Sequence, residues 1–224
     1  MKMLSGTAPS WADKCTLVYV NHKAVPMSDD ALSTHAKASQ LFLDKGWSGA
    51  NVITLTGSVD TAAEAERYTE QLRALPEAAL PRAADGTPIF DLMLLGVGDD
   101  GHIGSLYPGQ AAVEDESGSW VLPVASKTPG SITLSLGVMR AAKAVLVAAG
   151  GVSEKAPKGK GAAMLRAIEG TDDTPSTFPA VGLRGEKTCW ILDGAASSEL
   201  SVDYAECYSF GGASQKSNVF KDIL

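Results

Sequence analysis

Cysteine is scarce in this 224-residue chain: Cys15, Cys189 and Cys207 form no even set, no CxxC pair and no Cys/His ligand spacing. That excludes a disulfide framework and a zinc-finger type of site, and reduced thiols in a reducing compartment are the simplest reading. Long hydrophobic runs are missing too. The strongest, around Leu92 to Val97 and Ala144 to Ala149, fall far short of the roughly 20 residues that cross a bilayer. No membrane partner is expected. The first six residues have neither the apolar centre of a secretory signal nor the arginines of a transit peptide. A cytoplasmic location follows as the expectation, with a plastid or other organelle open where a presequence has been removed. No Lys/Arg-rich run occurs, and 26 acidic against 19 basic residues leave a formal charge of -7, so a nucleic-acid partner is not expected. A few focused cations could still hold an anionic small molecule. There is no internal repeat of fixed period. No His/Asp spacing matches a metal-ligand set, so neither metal nor organic cofactor is expected. The Gly-x-Ser-x-Gly elbow is not spelled either, since Gly104-Ser105-Leu106-Tyr107-Pro108 lacks its frame, which argues against a serine hydrolase.

What is present is a chain able to bury a substantial core, with 45% hydrophobic and 20% charged residues. Short apolar, β-rich runs alternate with stretches of helical period, the pattern of βαβ units and a largely parallel sheet flanked by helices. The fold class is therefore α/β. Candidate strands are Thr16 to Val20, Asn51 to Leu55, Asp91 to Gly96, Trp120 to Val124, Ser131 to Leu136, Ala144 to Ala149 and Thr188 to Leu192. Three helices are predicted: Asp30 to Asp44, capped by Asp29 or Asp30 and ended by Gly46; Asp60 to Leu75, stopped by Pro76; and Lys160 to Ile168, closed by Gly170. The length suits one domain over residues 1–200. Residues 201–224, with Gly211-Gly212 and no clear period, read as a tail or an arm packed on a neighbour.

The most informative segment is the run from Phe90 to Gly109, in which the apolar strand Leu92-Met93-Leu94-Leu95-Gly96 enters the turn Val97-Gly98-Asp99-Asp100-Gly101-His102. Gly96, Gly98 and Gly101 permit positive φ or close backbone approach, so a ligand can sit against the main chain at the carboxyl end of a strand, where open α/β sheets place their sites. His102 emerges at that edge. Histidine ordinarily titrates near neutrality and is suited to take a proton from water, with Asp99 or Asp100 to orient it. A glycine-rich turn beside a histidine is a weak signal when taken alone.

The whole run resembles the LLGMGxDGHxASLFPG signature of the 6-phosphogluconolactonase family, within the glucosamine-6-phosphate isomerase/6-phosphogluconolactonase superfamily. Three further segments are similar to that family's motifs: Ser126 to Leu136 to its SPKPPxxRITLTL strand, Gly151 to Ala156 to its GxxKA turn, and Trp190 to Ala196 to its WLLDxxAA strand. The resemblance covers about Thr16 to Leu200. It implies a Rossmann-like sheet and hydrolysis of 6-phospho-D-glucono-1,5-lactone to 6-phosphogluconate in the oxidative pentose phosphate pathway, without a cofactor. Under it His102 is the catalytic base with Asp100 as its orienter, amides of the Gly96 to Gly101 turn are candidate oxyanion donors, and Lys23, Lys127 and Lys155 are the candidate cations for the substrate's phosphate. A glucosamine-6-phosphate deaminase typically continues its GxDGH turn into FNEPG, and Ser105-Leu106-Tyr107-Pro108-Gly109 does not.

The chain also departs from that pattern. The family's DERxVP segment is Asn21-His22-Lys23-Ala24-Val25-Pro26, and the arginine before its ITL strand is Ser131. A lysine gives a point charge where guanidinium gives a planar two-pronged grip. These exchanges motivate the alternative of a non-catalytic, lactonase-like sugar-phosphate-binding protein or subunit. The N-terminus is expected to be shortened by the family's standard, leaving a sheet edge that a partner chain, an oligomer or the C-terminal stretch could cover. Among the remaining residues, His22 reads as a solvent residue at a strand end or as a pocket-lining group, His35 as a surface residue, and Lys158 and Lys160 as a solvated basic patch.

Overall fold

The computed structural model describes residues 9–150, 152 and 159–201. Three ladders organise them. Parallel strands β1 (Thr16–Val18) and β3 (Asn51–Ile53) form one. Parallel strands β4 (Leu92–Gly96), β7 (Ala144–Ala149) and β8 (Thr188–Leu192) form the second in the order β4-β7-β8. The third is antiparallel, built from β2 (Asn21–Lys23), β5 (Val121–Val124) and β6 (Ser131–Leu134) in the order β2-β6-β5. The α/β class and its parallel strands are as the alternation implies, and the antiparallel ladder is an addition to it.

That addition begins where the expected strand Thr16 to Val20 breaks. The N–H of Tyr19 donates to the phenol of Tyr68 at 2.8 Å instead of to a neighbouring strand. The chain then crosses, and Asn21, His22 and Lys23 pair with Thr133, Ile132 and Ser131 of β6. Tyr68 sits, fully buried, on α2 (Thr61–Ala74). Asp60 caps this helix by accepting from Ala62 and Ala63, and Pro76 follows its end, so the expected bounds hold to within a residue.

The first helix is shorter than its periodicity suggests. It is α1 (Thr34–Leu41), followed by a separate 3-10 turn over Leu43–Lys45. Its cap is Ser33, whose Oγ accepts from the N–H of Ala36, and not Asp29 or Asp30. The Asp29 carboxylate is spent one turn earlier on the N–H groups of Ala31 and Leu32. The strand expected to run to Leu136 ends at Leu134, because Ser135 caps the short helix α3 (Leu136–Ala141). The third expected helix is α4 (Gly161–Ile168), with the Gly170 N–H closing it on the Leu165 carbonyl and a four-residue α5 (Gly194–Ser197) following β8.

The main core lies on one face of the β4-β7-β8 ladder. Met93 and Leu95 of β4 and Val145 and Val147 of β7 are buried there with Ala163, Met164 and Ala167 of α4. Burying side chains of this size stabilises by about 1.5–3 kcal/mol each, which is what fixes the position of the loop that follows β4. A smaller cluster of Ala38, Phe42, Leu43 and Trp47 packs behind β1 and β3. No helix among the described residues is long and apolar enough to cross a membrane.

Candidate active site

β4 delivers the chain to its carboxyl end at Gly96, and the loop beyond it is held at two apolar anchors. Ile103 and Leu106 are fully buried and bridge each other, and Ile103 bridges Val97, so the intervening residues arch outward. His102 is carried on that arch with its side chain about one-third exposed. Two hydrogen bonds fix it to Asp100: the ring Nδ1 lies 2.6 Å from the carboxylate Oδ1, and the His102 backbone N–H donates to the same oxygen at 3.1 Å. Partial burial pushes the Asp100 carboxyl up, but these hydrogen bonds outweigh it and hold the group below the usual carboxylate range. An ionised Asp100 bound at Nδ1 leaves Nε2 as the nitrogen available to another molecule.

The glycines have distinct reasons. A Cβ on Gly98 would stand 2.0 Å from the His102 Nδ1, so the bare backbone here is what the imidazole rests on. Gly101 has φ +81°, and a Cβ there would meet the Phe178 ring at 2.4 Å. Gly96 differs from the sequence expectation: it needs no positive φ and touches nothing within 4 Å of its Cβ position, because it faces a cavity. The amide reading narrows as well. The N–H of Gly98 donates to the His102 carbonyl at 2.9 Å and that of Gly101 to the Gly98 carbonyl at 3.0 Å, which removes those two from the oxyanion candidates.

The cavity has a volume of about 300 Å³ and opens between the carboxyl end of β4 and the start of β2. Val20 and Asn21 line one side, Leu94 to Val97 the other, and His102 and Gly104 close it. Asn21 is fixed by donating from Nδ2 to the Ser105 hydroxyl at 3.0 Å, and Ser105 donates its own N–H to Thr133 of β6 at 3.2 Å. The antiparallel ladder thus positions the wall that faces His102.

The candidate lysines fare differently. Lys127 is brought to the site, with its ammonium 3.4 Å from the centre of the Tyr107 ring, whose other neighbour is the His102 imidazole at 4.8 Å between centroids. Lys23 is exposed and does not line the cavity, although it stands on the same face of β2 as Asn21, one pleat further along. Lys155 lies outside the described residues. Lys160, expected to be a solvated patch residue, instead reaches back from the N-terminus of α4: its ammonium donates to the Val97 carbonyl and stands 3.9 Å from the Asp99 carboxylate. Its position straight before an amphipathic helix, in the segment between a strand and that helix, was the available signal.

His22 is corrected outright. It is fully buried, donates from Nδ1 to the Lys23 carbonyl at 2.7 Å and accepts at Nε2 from the His35 N–H at 3.1 Å. Burial holds its ring below the usual histidine pKa. It ties α1 to β2 and does not face the cavity. His35 is half-buried rather than a free surface residue, with Nδ1 2.8 Å from the Tyr19 hydroxyl. Among the described residues no group of three His, Cys, Asp or Glu is placed to hold a metal ion.

Comparison with known proteins agrees with this geometry. Residues 2–190 match the model of the family described as glucosamine-6-phosphate isomerases/6-phosphogluconolactonase. The chain is 30% identical over 200 residues to the 6-phosphogluconolactonase of Homo sapiens, covering 88% of this chain and 72% of that one. It is 33% identical over 202 residues to the 6-phosphogluconolactonase of Rattus norvegicus, with the same coverages of 88% and 72%. The crystal structure of 6-phosphogluconolactonase from Thermotoga maritima shares the fold with a TM-score of 0.64 at 22% identity, over 85% of this chain and 78% of that one.

Proposed function

Since the chain belongs to the glucosamine-6-phosphate isomerase/6-phosphogluconolactonase family, we propose that it hydrolyses 6-phospho-D-glucono-1,5-lactone to 6-phosphogluconate, with His102 as the base. The observation that carries this is the imidazole lining the cavity and held at Nδ1 by Asp100, which leaves Nε2 as the nitrogen for another molecule.

A δ-lactone is an activated ester, so one positioned base suffices and no covalent enzyme intermediate is required. His102 Nε2 takes a proton from a water. The resulting hydroxide adds to the lactone carbonyl, giving a tetrahedral oxyanion. That intermediate collapses by breaking the bond to the ring oxygen, which leaves with the proton that His102 carries. The product is an open-chain acid, and the imidazole returns to its neutral form. Asp100 stabilises the imidazolium that exists between these two transfers and keeps the ring's orientation. The substrate's phosphate is assigned to the ammonium groups nearest the turn, Lys160 and Lys127, with Lys23 at the outer rim. Lysine is a sound phosphate partner as a point charge. A cytoplasmic location is part of the same proposal.

The test follows acid release from freshly generated lactone above its spontaneous hydrolysis. Wild type should exceed the background rate and His102→Ala should fall to it. Equal rates for the two would remove the enzymatic reading and leave that of a sugar-phosphate-binding relative.

A further inference from the structure

Addition of hydroxide to a lactone carbonyl puts a negative charge on the carbonyl oxygen, and a hydrogen-bond donor aimed at that oxygen is worth about 10²–10³-fold in rate. The cavity offers few side chains for the task. Of the residues that line it only His102 and Asn21 carry a polar side chain, the rest being valine, leucine and glycine. His102 is occupied with the proton of the attacking water. In the turn itself, the N–H groups of Gly98 and Gly101 are spent on backbone carbonyls and that of His102 on the Asp100 carboxylate.

Asn21 is held for such a role at both its backbone and its side chain. It opens β2, where it pairs with Thr133 of β6. Its Nδ2 donates to the Ser105 hydroxyl at 3.0 Å, the Ser105 N–H donates to the Thr133 hydroxyl at 3.2 Å, and that hydroxyl donates to the Leu134 carbonyl at 3.2 Å. Ser105 and Thr133 are buried, so water does not compete for these bonds. A primary amide has two N–H bonds, and Ser105 takes one. Among the described residues no other group bonds the half-buried carboxamide, which leaves its second N–H to a molecule in the cavity. A donor fixed in advance needs no reorganisation as charge develops. The DERxVP motif that this segment resembles has an acid at position 21. An ionised carboxylate only accepts hydrogen bonds and would repel an oxyanion, so the asparagine adds a donor where an acid could not supply one.

We propose that Asn21 is a catalytic residue, the side-chain donor to the oxyanion. Its second Nδ2–H donates to the lactone carbonyl oxygen as hydroxide adds and holds the tetrahedral intermediate. The bond weakens as the electron pair returns and the bond to the ring oxygen breaks, and no proton leaves Asn21. This inference rests on the hydrolytic reading with His102 as base.

Steady-state kinetics on freshly generated 6-phospho-D-glucono-1,5-lactone test it, with three variants checked for folding by their thermal midpoints. Asn21→Ala should lower kcat about 100-fold and leave KM within about twofold. Asn21→Asp keeps the shape and can still bond Ser105, which would then donate, but it offers the cavity no N–H; it should lose about as much, and it decides the matter should the alanine variant fail to fold. Ser105→Ala breaks the same hydrogen bond from its other end while keeping the carboxamide, and should cost less than tenfold in kcat. A merely structural bond between Asn21 and Ser105 predicts equal losses from Asn21→Ala and Ser105→Ala, and that result would overturn the proposal. Wild-type kcat in Asn21→Asp would do the same, as would a raised KM with kcat kept, which would make Asn21 a binder of a substrate hydroxyl. A wild type no faster than spontaneous hydrolysis fails the hydrolytic reading and this inference together, whereas an active wild type with any of those three results fails this inference alone.

Discussion

The sharpest consequence of the site geometry concerns Gly98→Ala. One added methyl would lie 2.0 Å from the His102 Nδ1, 2.2 Å from its Cε1 and 2.7 Å from the Asp100 Oδ1. Ordinary contacts are about 3.5 Å or more, so the ring has to retreat by roughly 1.5 Å. The backbone need not change, because Gly98 has no positive φ and its N–H bond to the His102 carbonyl is compatible with alanine. The effect therefore falls on the imidazole and its 2.6 Å bond to Asp100. Misplacing a reacting group by about 1 Å costs on the order of 100-fold in rate, or about 2.7 kcal/mol of transition-state stabilisation. Lactone hydrolysis by Gly98→Ala should fall about 100-fold in kcat while the thermal midpoint moves by only a few degrees. Gly101→Ala is the contrasting control. Its φ of +81° disfavours a side chain by about 1–2 kcal/mol, and the Phe178 ring 2.4 Å from the new methyl adds an overpacking cost of about 1–3 kcal/mol. It should lose stability first and activity only as a result. Full kcat in a folded Gly98→Ala protein would refute the claim that the bare turn exists to seat His102.

Three other outcomes follow from named contacts. The His22 ring is held below its ordinary pKa of 6.5 by burial, so below that pH the unfolded chain binds the extra proton more readily than the folded one. Stability is then present above about pH 6.5 and declines as pH falls through it; urea midpoints between pH 7.5 and 5 should drop for wild type and drop less for His22→Gln. Glu64 is fully buried and accepts from the Thr56 N–H, the Thr56 hydroxyl and the Ser58 N–H at 2.7–2.8 Å. Glu64→Ala strands those three donors and should cost about 3–9 kcal/mol in chemical denaturation, at roughly 1–3 kcal/mol per unsatisfied group. Lys160→Met should lower kcat/KM about 10–100-fold for the phosphorylated lactone, the worth of one charge-assisted hydrogen bond, and leave hydrolysis of unphosphorylated glucono-1,5-lactone nearly unchanged. Equal losses on both substrates would show that Lys160 only braces Val97 and Asp99.

How far the chain could be read in advance depended on whether a segment's neighbours were its own. Ala144–Ala149 and Thr188–Leu192 stand where their composition puts them, because each is a local apolar run bounded by breakers. The helix at Asp60 was equally legible, its cap and its proline stop both lying within the segment. Thr16 to Val20 misled because the break at Tyr19 comes from a phenol on α2, 49 residues away. Ser33 displaced Asp29 and Asp30 as a cap because His22, on a strand that pairs elsewhere, takes the N–H of His35 and sets where α1 can begin.

The same division runs through the site. His102, Asp100 and their glycines form one short loop, and their juxtaposition is encoded by spacing alone. The cations come from other elements, and a lysine's long stem lets its ammonium settle several ångströms from its backbone, so sequence position ranks them poorly. Lys160, the residue capping α4, lies 63 residues after Val97 yet meets the Val97 carbonyl, since β4 and β7 are paired in parallel and both end at the cavity side of the sheet. Parallel pairing makes that end of the sheet the common exit of every strand. A cation placed just after any of these strands is therefore a candidate for the turn after β4, whatever its distance along the chain. Under the proposed function, Lys160 is therefore the stronger candidate for an anion at His102, and Lys23, on an antiparallel strand one pleat beyond Asn21 and outside the cavity lining, the weaker one.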